Sequence, residues 1–155
     1  MNVEKAVIGD IDALVKIRLE YLREDFGHLD DHDAETIRKD LPDYYKRHLN
    51  KDLFVYVIRE DGIIAACAFL LFIKKPMSPA FLNGRTGTVL NVYTYPAYRR
   101  RGYAGRIMET MISEAKENKI TVIELKSTED GYALYRSAGF FEDQSKYRFM
   151  KWKDR

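Results

Sequence analysis

A single mixed α/β domain is what this sequence predicts, and three features carry the prediction. Runs rich in β-branched and aromatic residues, such as "DLFVYVI" and "TGTVLNVYTY", have the length and composition of strands. The helical stretches separate only some of these runs, and an Asp-Gly turn joins two of them directly, so the sheet is part antiparallel. No Ser/Gly-rich linker, repeat or low-complexity tract divides the 155 residues, so positions 1–155 read as one domain with a sizeable core.

Taken in order, "NVEKAVI" reads as an opening strand. Asp10 is a candidate cap for a helix whose Ile11, Leu14, Val15, Leu19, Leu22 and Phe26 share one broad face. A polar connection leads to a second helical stretch around Ala34 to Leu49, in which Pro42 predicts a break. "DLFVYVIREDGIIAACAFLLFI" reads as two apolar strands turning at "REDG". After Pro76, Pro79 and Gly84, "TGTVLNVYTY" forms a further strand that stops at Pro96. From Gly102 onward Ala104, Ile107, Met108, Met111, Ile112 and Ala115 recur at helical spacing, with Arg106, Glu109, Glu114 and Glu117 on the opposite side. "ITVIELK" is a strand, and "GYALYRSAG" a short helix that Gly139 ends. "FFEDQSKYRFMKW" supplies one or two last strands.

Charge and composition exclude several classes. The 26 basic and 24 acidic residues nearly cancel, to a formal +2, whereas nucleic-acid binders carry a larger basic excess. A nucleic-acid domain built on the arginine run is therefore disfavoured. Cys67 is the only cysteine, which precludes an intrachain disulfide and suits a reducing cytoplasm. "MNVEKAVIGD" has no apolar stretch resembling a signal peptide, and the run "GIIAACAFLLFI" is too short to cross a bilayer as a helix. His28, His32 and His48 lack metal-ligand spacing, so no metal is expected. Cys67, inside an apolar strand, reads as a small buried hydrophobe and not a nucleophile.

The chemistry concentrates at "NVYTYPAYRRRGYAG", Asn91 to Gly105. A strand, a glycine-containing turn and a helix start make a phosphate site, because the first helical turn has unpaired N–H groups and a partial positive charge. Gly102 and Ala104 let a ligand approach the backbone, and Arg99, Arg100 and Arg101 add charge-assisted hydrogen bonds. Neither a G-x-x-x-x-G-K-[ST] loop nor Rossmann spacing is present. Alone, the three arginines would equally suit a solvated basic turn.

"RRRGYA" matches the Arg/Gln-x-x-Gly-x-Gly/Ala signature of the GNAT superfamily of acetyl-CoA-dependent N-acyltransferases, and "LYRSAGF" resembles that family's "LYxxxGF" element. The two motifs stand in the right order and separation, and the resemblance covers essentially the whole chain. It implies a GNAT-like fold: a mainly antiparallel mixed sheet flanked by helices, with one parallel pair at the cofactor site. It also implies that Arg99 and the backbone of Arg100, Arg101, Gly102, Tyr103, Ala104 and Gly105 hold the pyrophosphate of CoA. Val92, Tyr93 and Thr94 would pair with the pantetheine arm where the strand splays, and Tyr135 would protonate the departing thiolate. The implied activity is acetyl transfer to a primary amine in a ternary complex; a catalytically silent CoA-binding module of the same fold is the alternative. The implied partners are acetyl-CoA and a small amine or a protein amine, with neither nucleic acid nor membrane; a homodimer is left open.

Two departures bear on the chemistry. Thr128 stands where many members carry an asparagine, leaving a cofactor contact there open. Some members place a glutamate on the fourth strand, and "TGTVLNVYTY" has no carboxylate, so the base is unassigned between Glu124 and solvent. "EDFGHLDDHDAE", holding Glu24, Asp25, Asp30, Asp31, Asp33 and Glu35, is either a solvated surface or an acidic rim that favours cationic amines.

Overall fold

The computed structural model describes residues 1–154. Five strands, β1 (Val3–Lys5), β2 (Leu53–Glu60), β3 (Ile63–Lys74), β4 (Arg85–Thr94) and β5 (Val122–Glu124), lie side by side in chain order. Every neighbouring pair is antiparallel except β4 and β5, which are parallel. The helices α1 (Ile11–Phe26) and α2 (Asp31–His48) pack in one hydrophobic cluster with one face of the sheet, and α3 (Tyr103–Glu117) with the other, where α4 (Tyr132–Ser137) follows β5. Short 3-10 turns precede α1, at Ile8–Asp10, and α3, at Pro96–Tyr98.

Covering both faces explains why β2 and β3 are apolar without alternation. Val55, Val57 and Cys67 join Leu14, Ile17 and Tyr45 in one core; Ile58, Ala66 and Leu70 join Ile107, Met108 and Met111 in the other. The β2–β3 turn is made by Asp61 and Gly62, both with positive φ (49° and 78°), the turn whose twist matches that of the strands. The periodic face read from Ala104 to Ala115 is the buried face of α3, and truncating a fully buried Ile107 to Ala is worth about 2–5 kcal/mol.

Three local expectations are corrected. Asp10 precedes α1 but makes no side-chain cap there; its carboxylate accepts from the Val7 N–H and from Arg59, both at 2.8 Å, and so closes the preceding 3-10 turn. Arg59 beside it, together with the Val7 N–H, outweighs the burial effect and holds the Asp10 carboxyl below its usual range. Pro42 does not break α2, which runs on to His48. The carbonyl that loses its partner belongs to Arg38, on the exposed side of the helix where it is open to solvent, and buried Ala34 and Tyr45 anchor the helix on either side. No strand forms after Phe140 among the described residues. Among the described residues β5, three residues long, is the one strand beyond β4, and the tail aromatics Tyr147, Phe149 and Trp152 stay exposed, with Lys126 and Lys146 set over the Phe149 and Tyr147 rings. Strand propensity without burial is not enough to make a ladder.

Candidate active site

The parallel pairing of β4 with β5 covers only Thr86–Thr88 against Val122–Glu124. Beyond Thr88 the two strands part, while β4 continues to Thr94 and stays paired to β3 on its other edge. The cause is local. Asn91 adopts positive φ (53°), the register with β3 slips between Cys67 and Phe69, and β4 bulges. Val92, Tyr93 and Thr94 therefore run along an edge with no strand opposite, where backbone N–H and C=O groups are open to an extended ligand. Tyr93 turns its ring toward the α1–α2 side and Val92 packs toward the α3 side.

That edge leads directly into the loop before α3. Arg100 (φ 63°) and Gly102 (φ 75°) are both left-handed, and α3 starts at Tyr103. The first intrahelical bond of α3 is the Arg106 N–H to Gly102 carbonyl, at 3.2 Å. The N–H groups of Tyr103, Ala104 and Gly105 thus stand free at the positive end of a 15-residue helix. A Cβ placed on Gly102 meets nothing within 4 Å, so the space in front of these donors is open. An anionic group fits there. A groove of about 320 Å³ begins at Gly105 and continues between α3 and α4, past Glu109, Lys116 and Leu134.

The three arginines have different partners. Arg99 grips Glu24 with one terminal nitrogen at 2.7 and 2.9 Å from the two carboxylate oxygens, and its Nε donates to the Thr94 carbonyl at 2.8 Å. Its guanidinium therefore ties the end of α1 to the end of β4. Arg101 pairs with Glu60 at 2.7 Å, and Tyr103 donates to the same carboxylate. All three are exposed, and among the described residues Arg100 is the one whose side chain has no hydrogen bond or ion pair. Among the site residues read from sequence, the backbone from Arg100 to Gly105 is assembled as one cradle, while the Arg99 and Arg101 side chains serve as struts.

Tyr135 sits on α4, half-buried against Phe140 (ring centroids 6.1 Å apart, near-perpendicular), on the α3 side of the gap. Burial raises its pKa, and the Tyr21 phenol across the gap raises it further, so at neutral pH the hydroxyl holds its proton. Tyr21 in turn meets Tyr93 edge-on at 6.4 Å, and Tyr93 meets Tyr95 at 5.4 Å. The open end of β4 is lined with phenols. Thr128 has a structural role: its hydroxyl accepts from the Gly131 N–H at 3.2 Å, at the start of α4. Gly131 lies against the Tyr135 ring, and an added Cβ would stand 2.8 Å from Cε2. Gly131→Ala is expected to displace that ring. Turnover should fall about tenfold with little change in Tm, since a displaced phenol no longer stands where the open end of β4 places it while the backbone at φ −85° accepts alanine. Steady-state kinetics beside a melting curve checks it.

No carboxylate stands on β4, and Glu124 is exposed at the end of β5. Sequence reading counted Glu24 only within the acidic run, without its contact to β4, and missed Glu20. Glu24 accepts from the Tyr93 hydroxyl at 3.3 Å, and Glu20, one helical turn earlier, raises the pKa of both Tyr93 and Tyr95 after the larger effect of burial. Their i,i+4 spacing on α1 is visible in the sequence, but nothing local says which face meets β4. Cys67 is fully buried, and burial pushes its thiol up to about 12, which removes it as a nucleophile. Among the described residues no cluster of metal-ligating side chains occurs, and no helix is long and apolar enough to cross a membrane.

Comparison with known proteins agrees with this geometry. The acetyltransferase (GNAT) family model matches residues 12–140. The crystal structure of a predicted acetyltransferase with acetyl-CoA from Clostridium acetobutylicum is 32% identical, superposes with a TM-score of 0.83, and is matched over 97% of this chain and 95% of that one. A GCN5-related N-acetyltransferase from Ralstonia eutropha shares the fold at 24% identity and a TM-score of 0.80, over 96% of this chain and 97% of its own. No curated protein matches. A helix N-terminus set beside a half-unpaired parallel strand, with the family's pattern running through both, leaves one assignment: the chain belongs to the GNAT family of acetyltransferases.

Proposed function

We propose that this protein transfers an acetyl group from acetyl-CoA to a primary amine by direct attack within a ternary complex. The observation that carries the reading is the continuity of the unpaired Val92–Thr94 edge with the free N–H groups of Tyr103 to Gly105, facing Tyr135 across the gap. The cradle residues bind the phosphates, and the β4 edge pairs with the amide-bearing arm, which supplies the thioester at its far end. The open edge also points backbone N–H groups at the carbonyl where negative charge develops. The amine nitrogen bonds to the acetyl carbon, the carbon–sulfur bond breaks, and Tyr135 gives its proton to the sulfur. A phenol with pKa of about 10 is a suitable donor to a thiolate whose thiol has pKa of about 8.5. Glu20, close to Tyr93 and Tyr95, is the carboxylate best placed to take the ammonium proton before attack. The buried Cys67 argues against an acyl-enzyme. A single cysteine and balanced charge suit the cytoplasm.

An acetyl-CoA-dependent screen of amines, read by free thiol release, tests the reading. At least one primary amine should release thiol well above the rate without amine. Binding of CoA with no release on any amine would leave the silent CoA-binding module in its place.

A further inference from the structure

Arg18 stands out on α1. It is half-buried between α1 and the sheet, and among the described residues it has no carboxylate partner. Its one hydrogen bond goes to the buried side-chain oxygen of Asn91, at 3.1 Å. A guanidinium has five N–H donors, and a buried one is ordinarily paired, because desolvating a charge is costly. The carboxylates around it have other partners: Glu20 pairs with Arg23, Glu24 with Arg99, and Asp52 with His48. Asp25, near Tyr21, is exposed.

A second observation points to the same place. The Tyr45 hydroxyl, on a residue 1% exposed, has no hydrogen-bond partner, and its phenol lies within reach of the Arg18 charge. A buried hydroxyl left unpaired costs about 1–3 kcal/mol. An unpaired cation beside an unpaired donor is the half-site for an anion. Two aromatic rings stand beside this pair: Tyr21, whose ring lies 5.6 Å from the Arg18 guanidinium carbon, and Phe69, edge-on to Tyr45.

The location ties this half-site to the reaction. Asn91 is the bulge residue at which β4 opens, so Arg18 stands at the end of the open edge farther from the phosphate cradle. Tyr21 feels Arg18, and Tyr135 across the gap feels Tyr21. A small molecule with its amine near the Tyr135 hydroxyl therefore has its other end beside Tyr21 and Arg18.

We propose that Arg18 is the specificity-determining residue of the acceptor site and binds an anionic group, carboxylate or phosphate, at the far end of a short primary amine. The inference deepens the acetyltransferase reading and rests on it for where the amine end lies. Its consequence is opposite to that of an acidic rim. In the structure half of that rim is occupied: Asp30 caps α2 through the His32 N–H, Glu35 pairs with Arg38, and Glu24 with Arg99.

The experiment compares matched amines on wild type, Arg18→Gln and Arg18→Lys. A series of ω-amino acids of increasing length is set against the corresponding alkylamines and diamines, and phosphoethanolamine against ethanolamine. Two readouts are taken: the Tm increment of each amine with CoA present, and kcat/KM from thiol release. At least one anion-bearing amine should raise Tm where its neutral and cationic counterparts do not, and should lead them by about tenfold or more in kcat/KM, the range of a charge-assisted hydrogen bond. The two families of probe distinguish carboxylate from phosphate. Arg18→Gln should erase both differences, and Arg18→Lys should retain part of them. The proposal is overturned if the diamines lead, if neutral and anionic amines rank equally in wild type, or if the preference persists in Arg18→Gln. If Arg18→Gln does not fold, as shown by the absence of a cooperative melting transition, the wild-type ranking and Arg18→Lys decide. Thiol release that fails with every amine while the Tm differences remain would strike the transferase reading and leave Arg18 as an anion-binding residue.

Discussion

Gly102→Asp should abolish the thermal stabilisation that CoA confers while leaving the unliganded protein folded. The two effects separate for a physical reason. Gly102 is left-handed at φ 75°, a conformation aspartate tolerates better than most residues, and a Cβ there meets nothing within 4 Å. Aspartate is also a favourable helix N-cap, since its carboxylate can accept from the free N–H groups of the first turn. Those same N–H groups are the donors a phosphate needs. The variant therefore fills the cradle with its own anion and repels the incoming one. Loss of two or more charge-assisted hydrogen bonds, at roughly 1.5–3 kcal/mol each, should weaken CoA at least about a hundredfold. A ligand present at about 100 times its Kd stabilises by about 2.7 kcal/mol, so the Tm increment should vanish at the same concentration. An unchanged increment in Gly102→Asp would mean that CoA is held elsewhere. Arg99→Ala is the instructive control. With its guanidinium bound to Glu24 and to the Thr94 carbonyl, its loss loosens the junction of α1 and β4 and does not empty the cradle.

The contrast between these two residues shows where sequence reading works and where it stops. Gly102 and α3 were legible because their signal is local: a glycine at the turn and apolar residues at three- and four-residue steps specify loop and helix without reference to the rest of the chain. The β2–β3 hairpin was legible from Asp61-Gly62 for the same reason. The Arg99–Glu24 and Arg18–Asn91 contacts link residues 75 and 73 positions apart. No local pattern encodes them; they exist because α1 crosses β4 where the strand bulges. The run of three arginines looked uniform as a string, yet folding turns one toward Glu24, one toward Glu60 and leaves Arg100 to solvent. Two of the corrections share a cause: propensity alone argues for a break at Pro42 and a strand in the aromatic tail, but tertiary packing overrides it in α2, and among the described residues no partner strand meets the tail after Phe140.

Tyr135→Phe should lower kcat by roughly tenfold to a few hundredfold, the scale of a positioned general acid, with the apparent affinity for acetyl-CoA little changed. Only one oxygen is removed, and the half-buried ring keeps its contact with Phe140, so the fold has no reason to respond. The pH dependence gives an independent check. Burial, then the neighbouring Tyr21 phenol, raises the Tyr135 pKa above its ordinary 10.0. The protonated, proton-donating form is therefore fully populated at neutral pH and is lost only as pH rises through that elevated value. On this account any decline of wild-type kcat that belongs to Tyr135 has its midpoint above the ordinary phenol value of 10.0, and a decline with a lower midpoint belongs to another group. Phenylalanine cannot ionise, so the variant should be slow at every pH and should lack that alkaline limb. The comparison must use an acceptor for which chemistry, not product release, limits turnover, which a burst experiment establishes beforehand. Wild-type turnover in Tyr135→Phe under those conditions would remove the phenol from the reaction and leave the departing thiolate to be protonated by solvent.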